Sequence, residues 1–333
     1  MSNAKTSCGW GIVGLGWVAA DFVAPAMQQT GATIAACLGS SPEKSQAFAQ
    51  RFGVARAHAD LESLLRDPAV DAVYLALPNS MHHAAVLAAA RAKKHILCEK
   101  PFAMELAHAR EMTAACRDAG VILRIAHQIR LDAAITRARE IVRSGRLGRL
   151  AEVSLERGSA NPARKTWRLD NSQSGVIFDV GVHLLDLVQW ITGQHFLEVS
   201  AFSHPDRKEG KSDDTVTVLG RLEGDCHAQV RATREVASAE NSLILEGSDA
   251  TLFTSSLRFA KEHVVSVRDK HGVTEERFPA SPAYAWEVSA FEGELRGERS
   301  LLPDGEASMR TVAVTRAVLK SIDERRIVTV EAV

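Results

Sequence analysis

Short apolar runs alternate with amphipathic stretches over the first 126 residues. The runs predict strands at Cys8–Leu15, Thr33–Leu38, Asp71–Leu77, His95–Cys98 and Val121–Ile125. Two of the stretches between them predict helices, at Trp17–Gln29 and Met104–Ala119. Nearly continuous apolar strands are typical of parallel sheets that helices cover on both faces. The pattern therefore predicts a doubly wound α/β domain over residues 1–126.

From residue 127 onwards the pattern changes, because polar and apolar positions alternate along several segments. Strands are predicted at Leu150–Glu156, Asp214–Leu222, Cys226–Ala232 and Ile327–Val330. Helices are predicted at Leu131–Ser144, Gly175–Gly193, Ala283–Arg296 and Asp304–Asp323. Glu223-Gly224, between two of the strands, is a hairpin signal. This half of the chain predicts an α+β domain over residues 127–333, built on a large, mostly antiparallel open sheet.

Composition indicates a globular protein whose partners are small molecules. The 333 residues are 46% apolar and 24% charged, and 40 basic against 41 acidic side chains leave a net charge of −1. Because the charges are nearly balanced, the protein as a whole does not attract nucleic acid or an anionic membrane electrostatically, so we expect neither as a partner. No apolar segment reaches the roughly 18 residues of a membrane span. The polar lead before the first strand has no secretory apolar region, so we expect a cytoplasmic protein.

Five cysteines are scattered along the chain without a close pair. This spacing is not that of a zinc site or a disulfide framework. We therefore expect buried thiols and no metal.

A glycine-rich turn follows the first predicted strand. The run Gly14-Leu15-Gly16-Trp17-Val18-Ala19 has the form G-x-G-x-x-A between a strand and a helix. The first glycine allows the bend, the second lets the backbone approach a pyrophosphate, and the small third residue lets the helix pack on the strand. Phosphates would lie at the helix N-terminus, where unpaired N–H groups favour anions. We therefore predict a dinucleotide site of the Rossmann type here.

The end of the second strand indicates which dinucleotide is bound. An NAD site usually places Asp or Glu there to bind the ribose, whereas this chain has Ser40, Ser41 and Lys44. Two hydroxyls and an ammonium suit a 2′-phosphate, which favours NADP, with NAD as the alternative. Ser41 followed by proline is also a helix N-cap signal, and the two interpretations are compatible.

Two further turns end predicted strands. One carries Leu77, Pro78, Asn79 and His82, and the other is Glu99-Lys100-Pro101. Ligands of open parallel sheets bind outside the carboxyl ends of the strands. We therefore expect these residues to line the cofactor, with Lys100 close to the substrate. The alternative is a solvated turn, since surface Glu–Lys pairs are common and contribute little.

The helix predicted at Gly175–Gly193 has an apolar face and, beside it, a second, narrower stripe of side chains that could take part in chemistry. At about 100° per residue the apolar side chains share one face, and Asp179, His183, Asp186 and Trp190 share the next. Asp179 and His183, four residues apart, can contact each other or the same ligand. A solvated polar face is the alternative, but the dinucleotide turn and Lys100 favour a catalytic role. We expect Trp167 and Arg168, in the preceding loop, to flank the nicotinamide unless they form an ordinary exposed loop.

Together these motifs resemble one enzyme family. Gly14–Ala19, Glu99-Lys100-Pro101 and Asp179-x-x-x-His183 are similar to the motifs of the Gfo/Idh/MocA oxidoreductases, and the resemblance covers nearly the whole chain. Within the family, Thr166–Arg168, Gly175–His183 and Ser41–Lys44 are most similar to NADP-dependent anhydro-sugar reductases. The resemblance adds Tyr284 to the expected cofactor residues. It also implies a polyhydroxylated substrate and subunit contacts on the second sheet, which makes a homo-oligomer an expectation.

The implied reaction is hydride transfer between nicotinamide and a carbonyl or secondary alcohol of a sugar-like substrate, such as a ketose or anhydro-sugar. A proton must also move on or off that oxygen. We expect His183 to donate it, since imidazole titrates near neutrality. Lys100 would polarise the oxygen, and Asp179 would orient the sugar hydroxyls or the imidazole. Whether Lys100 or His183 is the acid stays open, as does the direction of the reaction.

Two other functions remain as alternatives. One is an NAD-dependent sugar or inositol dehydrogenase, which differs only in the cofactor pocket and substrate. The other is a catalytically silent dinucleotide sensor. A sensor has no use for a proton donor, so the joint presence of Lys100, Asp179 and His183 disfavours it.

Overall fold

The computed structural model describes residues 8–158, 175–205, 212–236, 241–255 and 261–333. The chain divides into two compact units. The first comprises residues 1–128 and 282–309, and the second comprises residues 129–281 and 310–333. The sequence pattern predicted one division, between residues 126 and 127, and placed 282–309 with the second domain.

The first unit is built on a six-stranded parallel sheet. Its strands are β1 (Gly9–Val13), β2 (Thr33–Leu38), β3 (Arg56–Ala57), β4 (Ala72–Leu75), β5 (His95–Cys98) and β6 (Leu123–Ile125). They lie in the order β3-β2-β1-β4-β5-β6, so the chain proceeds outward in both directions from β1. Every residue of β1 and β4 is buried, as the continuous apolar runs predicted. The predicted doubly wound Rossmann fold is confirmed.

Helices of the first unit connect these strands. They are α1 (Ala24–Thr30), α2 (Pro42–Phe52), α3 (Leu61–Arg66), α4 (His82–Arg91) and α5 (Leu106–Ala119). A π-helical turn, Ala19–Val23, precedes α1, and the chain is already helical at Trp17 and Val18, so the helix begins where it was predicted but is wound more loosely over its second turn. Gly120 follows the last residue of α5, and its φ of 69° lies in the left-handed region that glycine favours after a helix end.

A mixed, mostly antiparallel sheet forms the second unit. Its strands are β7 (Leu150–Gly158), β8 (Phe196–His204), β9 (Thr215–Leu222), β10 (His227–Thr233), β11 (Leu243–Gly247), β12 (Ala250–Thr254), β13 (Glu262–Asp269), β14 (Gly272–Pro279) and β15 (Val328–Thr329). The order is β14-β13-β12-β11-β7-β10-β9-β8-β15. Strand β10 pairs parallel with β7 and antiparallel with β9, from which a short turn separates it in the chain. The predicted antiparallel sheet and the hairpin at Glu223-Gly224 are confirmed.

The remaining helices are α6 (Ala133–Arg143), α7 (Val182–Thr192), α8 (Ala283–Leu295) and α9 (Gly305–Glu324). Asp132 caps α6 by accepting the backbone N–H groups of Ala134 and Ile135. Helix α7 is buried at nine of its eleven positions, because it is apolar around most of its circumference. None of the described helices has the length and apolar character that a membrane span needs.

Helix α8 belongs to the first unit, although it follows the second sheet in the chain. The ring of Phe291 lies 5.1 Å from that of Trp10 in β1. Trp10 Nε1 donates a hydrogen bond of 2.9 Å to Glu292, and Arg124 Nε in β6 donates one of 2.6 Å to Glu294. These contacts hold α8 against the parallel sheet. The sequence did not predict this, because the periodicity of apolar residues does not show which sheet a helix covers.

Candidate active site

The turn after β1 has the geometry that a dinucleotide site needs. Gly14 has a φ of 90°, and a Cβ on it would lie 2.3 Å from the carbonyl oxygen of Ala76, so only glycine fits. A Cβ on Gly16 would meet no atom within 4 Å. Gly16 is therefore not required by the fold itself, and its bare backbone suits close approach by a pyrophosphate. Ala19, the third position of the motif, is completely buried, and Leu15 and Val18 between these positions are half-buried.

Aromatic rings extend from this turn to α8. The half-exposed ring of Trp17 packs edge-on against Phe22 at 5.2 Å between centroids. Phe22 in turn stacks on Tyr284 at 5.0 Å. Tyr284, expected at the cofactor from the family resemblance, thus joins the glycine turn through Phe22. Phe22 was not predicted at the site, because its only signal was an apolar position in the predicted helix.

The tip of β2 carries hydroxyls and an ammonium without a carboxylate at the strand end. Ser41 caps α2 by accepting the backbone N–H of Lys44 at 3.3 Å, which confirms the predicted N-cap. Lys44 Nζ donates to the Ser40 hydroxyl at 3.0 Å, so both groups lie together at the surface. The Glu43 carboxyl accepts hydrogen bonds from the Ser41 hydroxyl and from the backbone N–H of Glu43, and these keep its pKa below the usual range.

His82 joins the turns that follow β4 and β5. Its ring is fully buried, with Nδ1 2.9 Å from the Pro101 carbonyl oxygen and Nε2 3.0 Å from that of Leu77. Burial lowers the pKa of His82, although the contacts with these carbonyls act in the opposite direction. A neutral ring carries one N–H and donates to one carbonyl at a time. Pro78 and the buried Asn79 lie in the turn between Leu77 and His82.

Glu99 and Lys100 differ in their surroundings. Glu99 is buried and continues the β5 ladder by donating its backbone N–H to Leu75 at 3.0 Å. Its Oε1 accepts the Tyr74 hydroxyl at 2.8 Å, and its Oε2 accepts the backbone N–H of Lys100 at 3.2 Å. Lys100 is half-buried at the strand end. Because β1, β4 and β5 are parallel neighbours, Lys100 lies at the same edge of the sheet as Gly14.

In the second unit, a π-helical turn at Ile177–Gly181 leads into α7 and carries Asp179. Asp179 is half-buried, and His183, in the first turn of α7, is buried. The looser turn alters the 100° spacing on which the predicted stripe rested. Such turns occur often at functional sites.

The other two members of the predicted stripe have structural partners. Asp186 accepts two hydrogen bonds of 2.6 Å from Arg130 and one of 3.3 Å from Thr311. The Arg139 guanidinium lies 4.5 Å from the centre of the Trp190 ring. Asp186 and Trp190 therefore bind arginines of the same unit, which leaves Asp179 and His183 as the candidate pair.

Asp213 holds the start of this helix and was not predicted from the sequence. Its side chain accepts the backbone N–H of Ile177 at 2.9 Å, and its carbonyl accepts that of Val176 at 2.9 Å. Gly175 has a φ of 115°, and a Cβ there would lie 2.1 Å from Asp213 Oδ1. Trp167 and Arg168 lie outside the described residues.

Comparisons with known proteins agree with both sheets and with the glycine turn. Residues 8–127 match the family model for oxidoreductases with an NAD-binding Rossmann fold (GFO_IDH_MocA), and residues 135–253 match the GFO/IDH/MocA C-terminal domain. 1,5-Anhydro-D-fructose reductase of Ensifer adhaerens is 32% identical over 320 residues, which are 94% of this chain and 95% of that protein. Myo-inositol 2-dehydrogenase of Thermotoga maritima is 25% identical over 97% of this chain and 98% of its own length.

A solved structure, the aldose-aldose oxidoreductase of Caulobacter crescentus complexed with glycerol, has the same fold. It aligns with a TM-score of 0.87 at 24% identity, covering 97% of this chain and 100% of the other. The two family models cover the first sheet and the second sheet from β7 into β12, and the relative from Ensifer adhaerens spans almost the full length. The chain belongs to the Gfo/Idh/MocA family of NAD(P)-dependent oxidoreductases.

Proposed function

We propose that this chain is an NADP(H)-dependent oxidoreductase that interconverts a carbonyl and a secondary alcohol of a polyhydroxylated, sugar-like substrate. One observation carries the proposal: the glycine turn after β1 and Lys100 after β5 lie at the same edge of one parallel sheet. A ligand bound along that edge meets both a pyrophosphate site and an amine. The similarity to a 1,5-anhydro-D-fructose reductase supports a ketose or anhydro-sugar as substrate.

The preference for NADP rests on Ser40 and Lys44. Their side chains are already hydrogen-bonded to each other at the surface, where a 2′-phosphate would accept charge-assisted hydrogen bonds. The similarity to a myo-inositol 2-dehydrogenase favours the second candidate, an NAD-dependent sugar or inositol dehydrogenase. Titration of NADP and NAD against tryptophan fluorescence separates the two. Tighter binding of NAD would reject the NADP preference.

The reaction assigns a role to each candidate side chain. The bound dinucleotide supplies the hydride, and Gly14, Gly16 and the residues up to Val18 fit its pyrophosphate. In the reductive direction Lys100 polarises the substrate oxygen and His183 gives it a proton. Asp179 orients the sugar hydroxyls or the imidazole.

Replacement of His183 tests the acid assignment. General acid catalysis contributes about 10²–10⁴-fold to a rate, so His183→Asn should lower kcat by that order and remove one limb of its pH profile. His204→Asn, at an exposed histidine of the same unit, is the matched control and should leave both unchanged. A bell-shaped profile that survives in His183→Asn rejects His183 as the acid and favours Lys100.

An activity screen tests the enzyme assignment itself. Oxidation of NADPH is followed with ketoses, anhydro-sugars and inososes, and reduction of NADP with the corresponding alcohols. Turnover of at least one class is the expected result. Tight dinucleotide binding without turnover across the panel would favour a dinucleotide sensor instead.

We also propose that the chain forms a homo-oligomer through the open face of the nine-stranded sheet. Phe202 in β8 and Leu219 in β9 are 73% and 55% exposed, and these strands are neighbours. Large apolar side chains grouped on a sheet face are typical of protein contacts.

A further inference from the structure

A tyrosine hydroxyl lies between two carboxyl groups in the interior of the first unit. Tyr74 in β4 and Glu287 in α8 are completely buried, and Glu99 at the end of β5 is 7% exposed. The Tyr74 hydroxyl oxygen lies 2.8 Å from Glu99 Oε1 and 3.0 Å from Glu287 Oε1. Both distances are those of hydrogen bonds.

Proton counting shows that the three groups hold two protons. A phenol has one proton, so Tyr74 donates to only one of the two carboxyls. The other carboxyl oxygen can form a hydrogen bond with the hydroxyl only by donating a proton of its own. One of the two glutamates is therefore a neutral carboxylic acid.

Several observations assign the proton to Glu287. Glu99 Oε2 accepts the backbone N–H of Lys100, a hydrogen bond that favours the ionised form. Glu287 Oε2 is buried without a hydrogen-bond partner among the described residues. Burial raises the pKa of Glu287 well above its usual range, and the charge of Glu99 adds to this, while the hydrogen bond with Tyr74 opposes it. Burial also raises the pKa of Tyr74, which keeps the hydroxyl protonated.

Other titratable groups surround this cluster. Tyr284 on α8 acts electrostatically on Tyr74. Cys98 on β5 is the residue before Glu99, and burial raises the pKa of its thiol. Lys100 is the nearest cation along the chain. The cluster therefore carries one negative charge, on Glu99, directly before the candidate catalytic lysine.

We propose that Glu287 is a positioning residue that, as a neutral acid, orients Lys100 through Tyr74 and Glu99. Glu287 donates to Tyr74, Tyr74 donates to Glu99 Oε1, and Glu99 Oε2 holds the backbone N–H of Lys100. The role assigned to Lys100 rests on the proposed function. The chain of hydrogen bonds links α8, far along the sequence, to the turn after β5.

Other contacts of α8 keep this helix in place when Glu287 is replaced, so substitutions of Glu287 test its role and not the position of the helix. Phe291 and Glu292 hold the helix against Trp10 independently of Glu287. In Glu287→Gln the amide N–H still donates a hydrogen bond to Tyr74, but it does not ionise. We therefore expect the activity of Glu287→Gln to stay within about twofold of the wild type. Glu287→Leu and Tyr74→Phe each break the chain of hydrogen bonds. Because a small misplacement of a catalytic group costs up to about 10²-fold, we expect kcat to fall about tenfold or more with dinucleotide affinity unchanged.

The pH dependence of stability tests the protonation state without any turnover. With its raised pKa, Glu287 binds a proton in the folded chain at pH values where it is ionised in the unfolded chain. Its contribution to stability is complete below the unfolded pKa of about 4.3 and is lost as pH rises toward the folded value. Glutamine has no such dependence. The midpoint of urea unfolding of Glu287→Gln, relative to the wild type, should therefore rise steadily from pH 5 to pH 9.

Each outcome decides one claim. Glu292→Gln is the control, since Glu292 binds Trp10 and does not contact Tyr74, and its relative stability should not depend on pH in this way. If the difference in midpoint between Glu287→Gln and the wild type does not change from pH 5 to pH 9, Glu287 is ionised in the folded chain and the inference is wrong, whatever the activity. If stability behaves as expected but Glu287→Leu and Tyr74→Phe keep full kcat, the positioning role is wrong. An absence of turnover in the wild type contradicts the proposed function and leaves the stability test intact.

Discussion

Among single side chains, Lys44 is the one on which the cofactor preference depends most. Lys44→Met removes the ammonium that would bind a 2′-phosphate but leaves the N-cap by Ser41, which uses the Lys44 backbone. A hydrogen bond to a charged group is worth about 1.5–3 kcal/mol. We expect the Kd for NADP to rise about tenfold to a hundredfold and the Kd for NAD to change less than about threefold.

Fluorescence titration of both dinucleotides measures this difference. Lys320→Met, at an exposed lysine of the second unit, is the control and should bind both as the wild type does. Equal losses of NADP and NAD affinity in Lys44→Met would mean that Lys44 supports the turn and not the choice of cofactor.

Local partners were predictable at this scale, and distant ones were not. Ser41 caps α2 through a residue three positions away, so its role followed from the sequence. Asp186 was grouped with His183 because they share a helix face, but its partner Arg130 lies 56 residues away. Tyr74 and Glu287 are 213 residues apart. A polar residue inside an apolar segment signals that a partner exists, and only the fold identifies it.

At the scale of single elements, the glycine turn offers a matched pair of substitutions. Gly14→Ala places a Cβ 2.3 Å from the Ala76 carbonyl oxygen at a φ of 90°, so the turn must deform. Gly16→Ala meets no atom within 4 Å. We expect Gly14→Ala to lower both the unfolding midpoint and dinucleotide binding. Gly16→Ala should keep the midpoint within about 2 °C, as surface substitutions usually do, and lose dinucleotide affinity about tenfold or more.

Thermal unfolding with and without NADP distinguishes the two effects, since a ligand stabilises the fold only if it binds. The stabilisation by NADP should be small in Gly16→Ala despite a normal midpoint in its absence. Full stabilisation of Gly16→Ala by NADP would show that the backbone at Gly16 does not approach the pyrophosphate.

Two of the helices at predicted site residues contain a π-helical turn near their start. These turns are Ala19–Val23 after the glycine motif and Ile177–Gly181 before α7. The hydrophobic pattern predicted that each helix exists and roughly where it ends. It could not predict the wider turn, because five residues are too few for a change in the number of residues per turn to be recognised in the apolar pattern. A helical wheel could therefore not predict how Asp179 is oriented relative to His183.

For the molecule as a whole, the order of elements was enough to predict both sheets. Continuous apolar strands gave the parallel sheet and alternating ones gave the antiparallel sheet, because each pattern reflects the number of faces that are covered. The assignment of residues 282–309 to the first unit was not predictable. It depends on Phe291, Glu292 and Glu294, whose contacts with the first sheet leave no local signal.

The proposed homo-oligomer is a property of the whole molecule and has a direct test. Phe202→Glu places a charge at the most exposed large apolar side chain of the described sheet face. If this face is buried between subunits, the unpaired charge opposes association, since an ionised group is costly to remove from water. Light scattering coupled to size-exclusion chromatography should then show a smaller mass, with the circular dichroism spectrum unchanged. Ile327→Glu, at an exposed isoleucine outside the strands, is the control and should keep the wild-type mass. If the wild type has the mass of a single chain, the protein does not form the proposed oligomer. If Phe202→Glu keeps the oligomeric mass of the wild type, this face is not the interface.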